Sequence, residues 1–325
     1  MINIAIIGAG ELGSRHLQAL AHLEEDATIQ VVDPSEESRQ IAKERFGQID
    51  QKADKRIKLL LHSAIDCLNG PLDLALFATS SDVRANLVRA IINRIKVRSM
   101  LLEKVLFQKE KDYFEIQELL IKENISAWVN CYRRDTDFFK SVKKKINLSE
   151  KVKISVSGSL WEIGCLGVHF IDLLAFFSGH VDFEFRKSQL DKNLLDAKRK
   201  GFKEFTGVLE GGNSRGDTLI MDSKDHGNQP WVIRIENGKT WHKIAEEVSG
   251  ADYEYFDGKE KSHCRIEIPM QSQRTHLLVE KIVHENRCDL TDFHDSVTLH
   301  IPLIRVLLRH VQQTTGEMVE VCPIT

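Results

Sequence analysis

Gly8-Ala9-Gly10-Glu11-Leu12-Gly13 stands between an apolar run (Ile2, Ile4, Ile6, Ile7) and a stretch where Leu12, His16, Leu17 and Leu20 recur at helical spacing. A second apolar run, Ile29-Gln30-Val31-Val32, ends in Asp33, twenty residues after Gly13. Each residue type suits a specific task. Gly8 permits a sharp turn out of a strand. Gly10 lets backbone approach a pyrophosphate, whose charge settles on the free N–H groups of a helix N-terminus. Gly13 lets that helix pack close to the strand. Asp33 can accept bonds from both ribose hydroxyls and would repel a 2′-phosphate, so the pattern predicts NAD rather than NADP. Arg39, nearby, is the feature that argues the other way. Strand, glycine turn, helix, strand and acid follow the order of a dinucleotide-binding unit, against the competing reading of a tight turn that binds nothing.

Three further groups could do chemistry. Leu72 to Ala78 reads as a buried strand ending in Thr79-Ser80-Ser81, which by position is either a cofactor-facing loop or a turn of small residues. The strand Ser99 to Leu102 delivers Glu103-Lys104, a charged pair that is costly after a buried strand unless paired or used. Lys104 would project into the crevice of the glycine turn, or else is a surface lysine. From Cys165 the chain looks helical, and Cys165, His169 and Asp172 share a face. Leu166, Phe170, Leu173, Leu174 and Phe177 form an apolar stripe elsewhere on that helix. His169 is then either a structural hydrogen-bonder or an acid–base group.

These groups need elements to hold them. Helices are expected at Ser38 to Phe46, with Ile41 and Phe46 on one side, and after Asp82, with Val83, Leu87, Val88, Ile91 and Ile92 inward and Asp82 as cap. Gln48 to Lys58 reads as a loop before Leu59-Leu60-Leu61. A helix carrying Phe114, Leu119, Leu120 and Ile121 precedes a strand from Ala127 to Tyr132. Arg133-Arg134 and Lys143-Lys144-Lys145 fall on or beside the next helix, the lysines as a solvated C-terminal face. Alternating strands and helices at this spacing give a doubly wound parallel sheet.

Beyond about residue 150 the pattern changes. Val152, Ile154 and Val156 share one face of a half-buried strand. Strand-like runs follow at Val181 to Phe185, Thr218 to Met221, Trp231 to Ile235, Tyr253 to Phe256 and Cys264 to Ile268, with a hairpin signal at Asp257-Gly258. Helices are expected at Gln273 to His284 and Thr291 to Gln313, the latter kinked or interrupted at Pro302, and a last short strand at Met318 to Val321. The fold class is α/β: an N-terminal Rossmann domain (1–133) and a C-terminal α+β domain (134–325) on a mostly antiparallel open sheet. The C-terminal helix is expected to pack back near the N-terminal domain.

At 325 residues the chain holds two ordinary cores, and a net charge of −3 argues against gripping nucleic acid or an anionic membrane. No run reaches the length of a membrane span, the N-terminus is already strand, and the six cysteines are scattered without metal spacing. A cytoplasmic protein with reduced thiols and no metal site is expected.

With those residues in place the sequence resembles the Gfo/Idh/MocA oxidoreductases, named for glucose–fructose oxidoreductase, inositol dehydrogenase and a rhizopine-catabolism protein. The likeness rests on Gly8 to Gly13, Glu103-Lys104, Arg133-Arg134, Gly167-Val168-His169-Phe170-Ile171-Asp172-Leu173 and the ending Val321-Cys322-Pro323-Ile324-Thr325. It implies hydride transfer between NAD(H) and a carbon of a sugar, sugar acid or nucleotide sugar. Lys104 matches the lysine of the family's Glu-Lys-Pro motif, and His169 matches its general base. It also implies a homodimer or homotetramer built through the C-terminal sheet.

Two departures stand out: Val105 replaces the usual proline, and Cys165 replaces the aspartate one turn before the histidine in many members. Asn130, Tyr132 and Trp161 are candidates, with Cys165, for lining the substrate pocket, and Glu162 for replacing the missing carboxylate. The rival reading is a catalytically reduced member that binds NAD(H) as a regulatory or scaffolding subunit. A third is a reductase whose proton comes from solvent.

Overall fold

The computed structural model describes residues 1–50, 56–247 and 250–325, gathered into two compact units. The first holds residues 1–107, 112–130 and 269–293; the second holds 108–111, 131–268 and 294–325. The chain changes unit at 130/131. Residues 269–293, which a linear division gives to the second domain, lie in the first.

In the first unit β1 (Ile2–Ile7), α1 (Glu11–Leu20), β2 (Ala27–Val32), α2 (Glu36–Gly47), β3 (Ile57–His62), β4 (Leu72–Phe77), α3 (Ser81–Arg94), β5 (Val97–Leu102), α4 (Glu110–Lys122, its first two residues assigned to the second unit) and β6 (Ser126–Val129) alternate. The strands pair in parallel in the order β6-β5-β4-β1-β2-β3. They read as nearly continuous apolar runs because both faces are covered: Ile4, Ile6, Leu74 and Ala75 are fully buried. Strand order reverses between β1 and β4, where sheets of this kind open a crevice beyond their strand ends.

Three helices keep part of the expected face, with Phe46 of α2, Val88 and Ile91 of α3 and Leu120 of α4 buried, and shift the rest of it by a residue. α3 buries Arg84, Val88 and Ile91 and leaves Val83 exposed, and Ser80, not Asp82, is its N-cap. α4 buries Tyr113, Ile116 and Leu120 while Phe114 and Ile121 face solvent. α2 buries Ala42 and Phe46 and exposes Ile41. In each, apolar residues occupy two adjacent helical rows, so the period alone does not select the inward row. Ile57 and Lys58 of the expected loop belong to β3, and its residues 51–55 lie outside the described residues.

The second unit continues with α5 (Asp137–Lys143), β7 (Val152–Ser159), α6 (Ile163–Ser178), β8 (Glu184–Leu190), the short pair β9 (Leu195–Asp196) and β10 (Lys203–Glu204), β11 (Gly207–Gly212), β12 (Thr218–Lys224), β13 (Val232–Asn237), β14 (Thr240–Glu247), β15 (Gly250–Phe256) and β16 (Lys261–Ile266). Eight strands form one sheet in the order β16-β15-β14-β13-β7-β12-β11-β8, antiparallel except for β7 with β12. Asp257-Gly258 turns β15 into β16, as expected. α6 lies against β7 and β12, over Ile154, Val156, Leu219 and Met221. It is buried all round from Gly167 to Ser178, not along one stripe, so His169 and Asp172 are interior residues too.

α7 (Thr275–Glu285) and β17 (Thr291–Asp292) return to the first unit, where β17 adds an antiparallel strand beside β6. α8 (Phe293–Thr315), nearly all in the second unit, runs uninterrupted through Pro302. Its buried row, including Val297, Ile301, Ile304 and Leu307, holds the helix across the hydrogen bond that proline lacks. The expected strand at Met318 to Val321 is absent, and Met318 and Val321 are exposed. No described helix is long and apolar enough to cross a membrane.

A Cβ on Gly13 would stand 1.9 Å from the Gly8 carbonyl oxygen, closer than any real contact, and Gly8 itself has φ of +97°. Gly13→Ala is expected to push α1 off β1, lowering stability by about 1–3 kcal/mol in denaturant titration; an unchanged midpoint would show the turn to be looser than described.

Candidate active site

Hydrogen bonding runs on past the strand ends of the first sheet. Gly8 N donates to Val32 O (2.8 Å), Asp33 N to His62 O (3.1 Å), Ala78 N to Ile7 O (2.8 Å), Glu103 N to Phe77 O (3.0 Å) and Asn130 N to Leu102 O (2.8 Å). The residues following five parallel strands therefore share one edge. Gly8 to Gly13, Asp33, Thr79, Ser80, Glu103, Lys104 and Asn130 all lie along it.

The glycine turn has the shape a dinucleotide requires. Among the described residues, a Cβ on Gly10 would meet nothing within 4 Å, so no packing against them calls for glycine there. Gly10 is the N-cap of α1 and provides no side-chain cap, which leaves first-turn N–H groups for an anion. Glu11, in that first turn, would oppose an anion if its charge were unpaired. Its carboxylate instead accepts from Arg45 (2.6 Å) and Arg15 (3.3 Å), and the Arg45 hydrogen bond holds its carboxyl below the usual range. Asp33 Oδ2 accepts from Ala9 N (2.7 Å) and Oδ1 from Ser35 N (2.8 Å), tying the acid to the glycine turn. Arg39 donates to the Asp33 carbonyl (2.5 Å). Among the described residues Thr79 Oγ1 is buried without a hydrogen-bond partner, and its methyl would lie 3.0 Å from a Cβ on Gly8. Backbone amides, Asp33 and the Thr79 hydroxyl are thus a donor and acceptor set that fits NAD(P).

Glu103 is only 4% exposed. Its Oε1 lies 3.1 Å from His16 Nε2 and accepts from the Asn130 side-chain amide, and Thr275 Oγ1 lies 2.8 Å from the other ring nitrogen of His16. Burial pushes the Glu103 carboxyl up, but the hydrogen bond and charge of His16, the Asn130 amide and the Lys104 ammonium outweigh it and hold the group below the usual carboxylate range. An ionised Glu103 fixes Nε2–H of His16 as the donor. One carboxylate thereby joins α1, the ends of β5 and β6, and the start of α7. Asn130, expected in the substrate pocket, uses its amide N–H in this chain.

Arg84 completes the edge. It is buried, and its guanidinium donates to the carbonyls of Thr79, Glu103 (2.6 Å), Val105 and Leu106 (3.0 Å). Two loops are therefore held by one side chain, and the peptide between half-buried Lys104 and buried Val105, which is cis, lies between carbonyls it clamps. The sequence carried a signal for Arg84: it stands four residues before Val88 in the buried row. Helical patterning hides it because a charged residue is assigned to the outer face.

In the second unit His169 is buried on α6, with the Tyr132 ring edge-on at 5.3 Å. One turn on, Asp172 lies 3.3 Å from Arg134. The turn Tyr132–Asp135 thus places its two arginines differently. Arg134 pairs with Asp172, while buried Arg133 pairs with Glu246 among the rings of Tyr132, Phe139, Phe170 and Trp231, 5.2–5.9 Å away. Trp161 is buried against Phe170, its indole N–H donating to Asp222 O (2.7 Å). The N–H groups of Gly164 and Cys165, in the first turn of α6, donate to Glu204 (2.7 and 2.9 Å). Glu162, Cys165 and Glu204 place potential ligand atoms within 4.8 Å of one another, but Glu204 already serves as the helix cap and Glu162 pairs with Lys198 at 3.0 Å.

Residues 2–131 match the model of a family described as an oxidoreductase family with an NAD-binding Rossmann fold, GFO_IDH_MocA. Residues 2–131 are thus similar to the NAD-binding domain of the Gfo/Idh/MocA oxidoreductases. No curated protein sequence matches the chain. Solved structures share its fold at low identity. An oxidoreductase from Agrobacterium radiobacter, in complex with NAD+, L-tartaric acid and magnesium, is 16% identical with a TM-score of 0.70, covering 98% of each chain. A 3-ketoreductase from Actinomadura kijaniata, in complex with NADP and TDP-benzene, is 12% identical with a TM-score of 0.67, covering 94% of this chain and 96% of that one. UDP-N-acetylglucosamine 3-dehydrogenase from Acidithiobacillus ferrooxidans is 11% identical with a TM-score of 0.68 over the same shares.

Because the Glu103 carboxyl titrates lower in the folded than in the unfolded chain, its stabilisation is present above about pH 4.3 and is lost as pH falls through the folded value. Glu103→Gln is expected to lower stability by about 2–3 kcal/mol at pH 7, with the gap to wild type narrowing below about pH 4. A gap constant down to pH 3 in paired melting curves would show that the charge of Glu103 is not what holds this edge.

Proposed function

We propose that the protein is an NAD(H)-dependent oxidoreductase transferring hydride between the nicotinamide and a carbon of a sugar, sugar acid or nucleotide sugar. The observation that carries the reading is the shared edge. An open glycine turn and the acid bonded to it lie on the same line of strand ends as Glu103-Lys104. Bound NAD(H) supplies or accepts the hydride. First-turn amides of α1 take the pyrophosphate, and Asp33 takes the ribose hydroxyls, which favours NAD over NADP.

His169 is the general acid/base in this reading. A neutral imidazole accepts the proton of an alcohol as its carbon is oxidised and returns it to a carbonyl in reduction. Burial beside Tyr132 suits that task, because fixed groups need no rearrangement as charge develops. Lys104 assists by stabilising developing negative charge on the substrate oxygen. Carbohydrate substrates are supported by the relatives with nucleotide-sugar activity or a bound nucleotide. The half-buried outer face of the C-terminal sheet, where Trp241 stacks on Phe256 beneath Arg234, is where a homodimer or homotetramer would assemble. Cys165 and Val105 support the rival reading of a catalytically reduced, NAD(H)-binding regulatory subunit.

Steady-state assays of polyols, sugar acids and nucleotide sugars separate the two. His169→Gln is expected to lower kcat by about 10²–10⁴-fold while NADH affinity stays unchanged. Full activity in that variant would remove His169 from the chemistry, and no turnover by wild type across these substrates would favour the regulatory subunit.

A further inference from the structure

A cavity of about 630 Å³ opens within the second unit, between the edge strand β8 and the last turns of α8. Strand alternation brings Ser188 and Leu190 to it, and helical spacing brings Arg309, His310, Gln313 and Thr314 to the opposite wall, with Lys192 at the rim. Leu190 and Val306 contribute apolar surface, and among the described residues no acidic side chain lines the space. Among the described residues, neither Lys192 nor Arg309 has a hydrogen-bond or ion-pair partner. Arg305, one turn earlier on the same helix, is paired with Glu110. The His310 ring is held in place, its Nε2 lying 2.9 Å from Asp191 O and its face edge-on to Phe205. Between residues 186 and 203 the sequence carries seven Lys or Arg against two Asp, in a chain whose net charge is −3.

We propose that this cavity is a second ligand site, for a small molecule bearing a phosphate group. The guanidinium fork of Arg309 and the ammonium of Lys192 match a dianion. Hydroxyls of Ser188 and Thr314 and the Gln313 amide supply neutral hydrogen bonds, and Leu190 with Val306 covers a carbon skeleton. The volume lies within the range of roughly 300–1,000 Å³ usual for small-molecule sites. Cations near a helix C-terminus also complement its dipole, but that end carries only about half a negative charge against two full positive ones. The site lies in the second unit and the dinucleotide residues in the first, so this proposal stands apart from the proposed reaction.

Isothermal titration with inorganic phosphate at constant ionic strength tests it, on the full chain and on Arg309→Ala and Lys192→Ala. Saturable binding by wild type is expected, weakened at least about tenfold by Arg309→Ala, a difference of about 1.4 kcal/mol. Hydrogen-exchange protection should appear over residues 186–192 and 306–314. Ribose 5-phosphate should displace the phosphate. No saturable binding would overturn the proposal. So would equal affinity in wild type and both variants, which would place the anion elsewhere, the glycine turn included. Exclusion of ribose 5-phosphate from a cavity that takes inorganic phosphate would overturn it as well.

Discussion

A carboxylate held in the interior at the end of β5 constrains what every neighbouring segment can do. Glu103 requires charge and hydrogen bonds around it, and it obtains them from two elements distant in sequence, His16 on α1 and Asn130 after β6, and from the Lys104 ammonium beside it. Through His16 the network reaches Thr275 and α7. Arg84 adds a second tie by gathering carbonyls from the loops after β4 and β5. The glycine turn, the Thr79 loop and Lys104 are thus fixed relative to one another by interior polar contacts, which hold geometry more tightly than apolar packing because direction as well as distance matters.

The first half of the fold was legible because its chemistry is local. Gly8 needs a positive φ, Gly13 needs the absence of a Cβ, and Asp33 needs to end a strand, and each requirement shows in a short stretch of sequence. Buried parallel strands announce themselves as unbroken apolar runs. The row each helix turns inward was less legible, since α2, α3 and α4 each carry apolar residues on two adjacent rows. Glu103-Lys104 stood out as a charged pair after a buried strand, but its partners His16, Asn130 and Arg84 lie 19 to 87 residues away, and nothing in the local pattern connects them. Resemblance to the family supplied what spacing alone does not, the candidate roles of Lys104 and His169.

The second unit was legible in kind but not in detail. Short strands and turn signals indicated an antiparallel sheet, whereas their limits shifted by several residues, and the parallel contact of β7 with β12 has no local signature. α6 is interior on every side, so its apolar stripe was only part of a wholly buried helix. Its first turn is capped by Glu204, about forty residues downstream. The same long-range logic applies to Arg133. Its charge is met by Glu246, more than one hundred residues on, within a ring of aromatic side chains.

The central claim is that the edge built around Gly8, Asp33 and Glu103 holds a dinucleotide. Fluorescence titration of the purified protein with NADH and NADPH, beside an Asp33→Ala variant, tests it most directly. The account predicts saturable NADH binding by wild type, preferred over NADPH by about tenfold or more, with both the affinity and the preference reduced in the variant. Absence of binding by either nucleotide would contradict it.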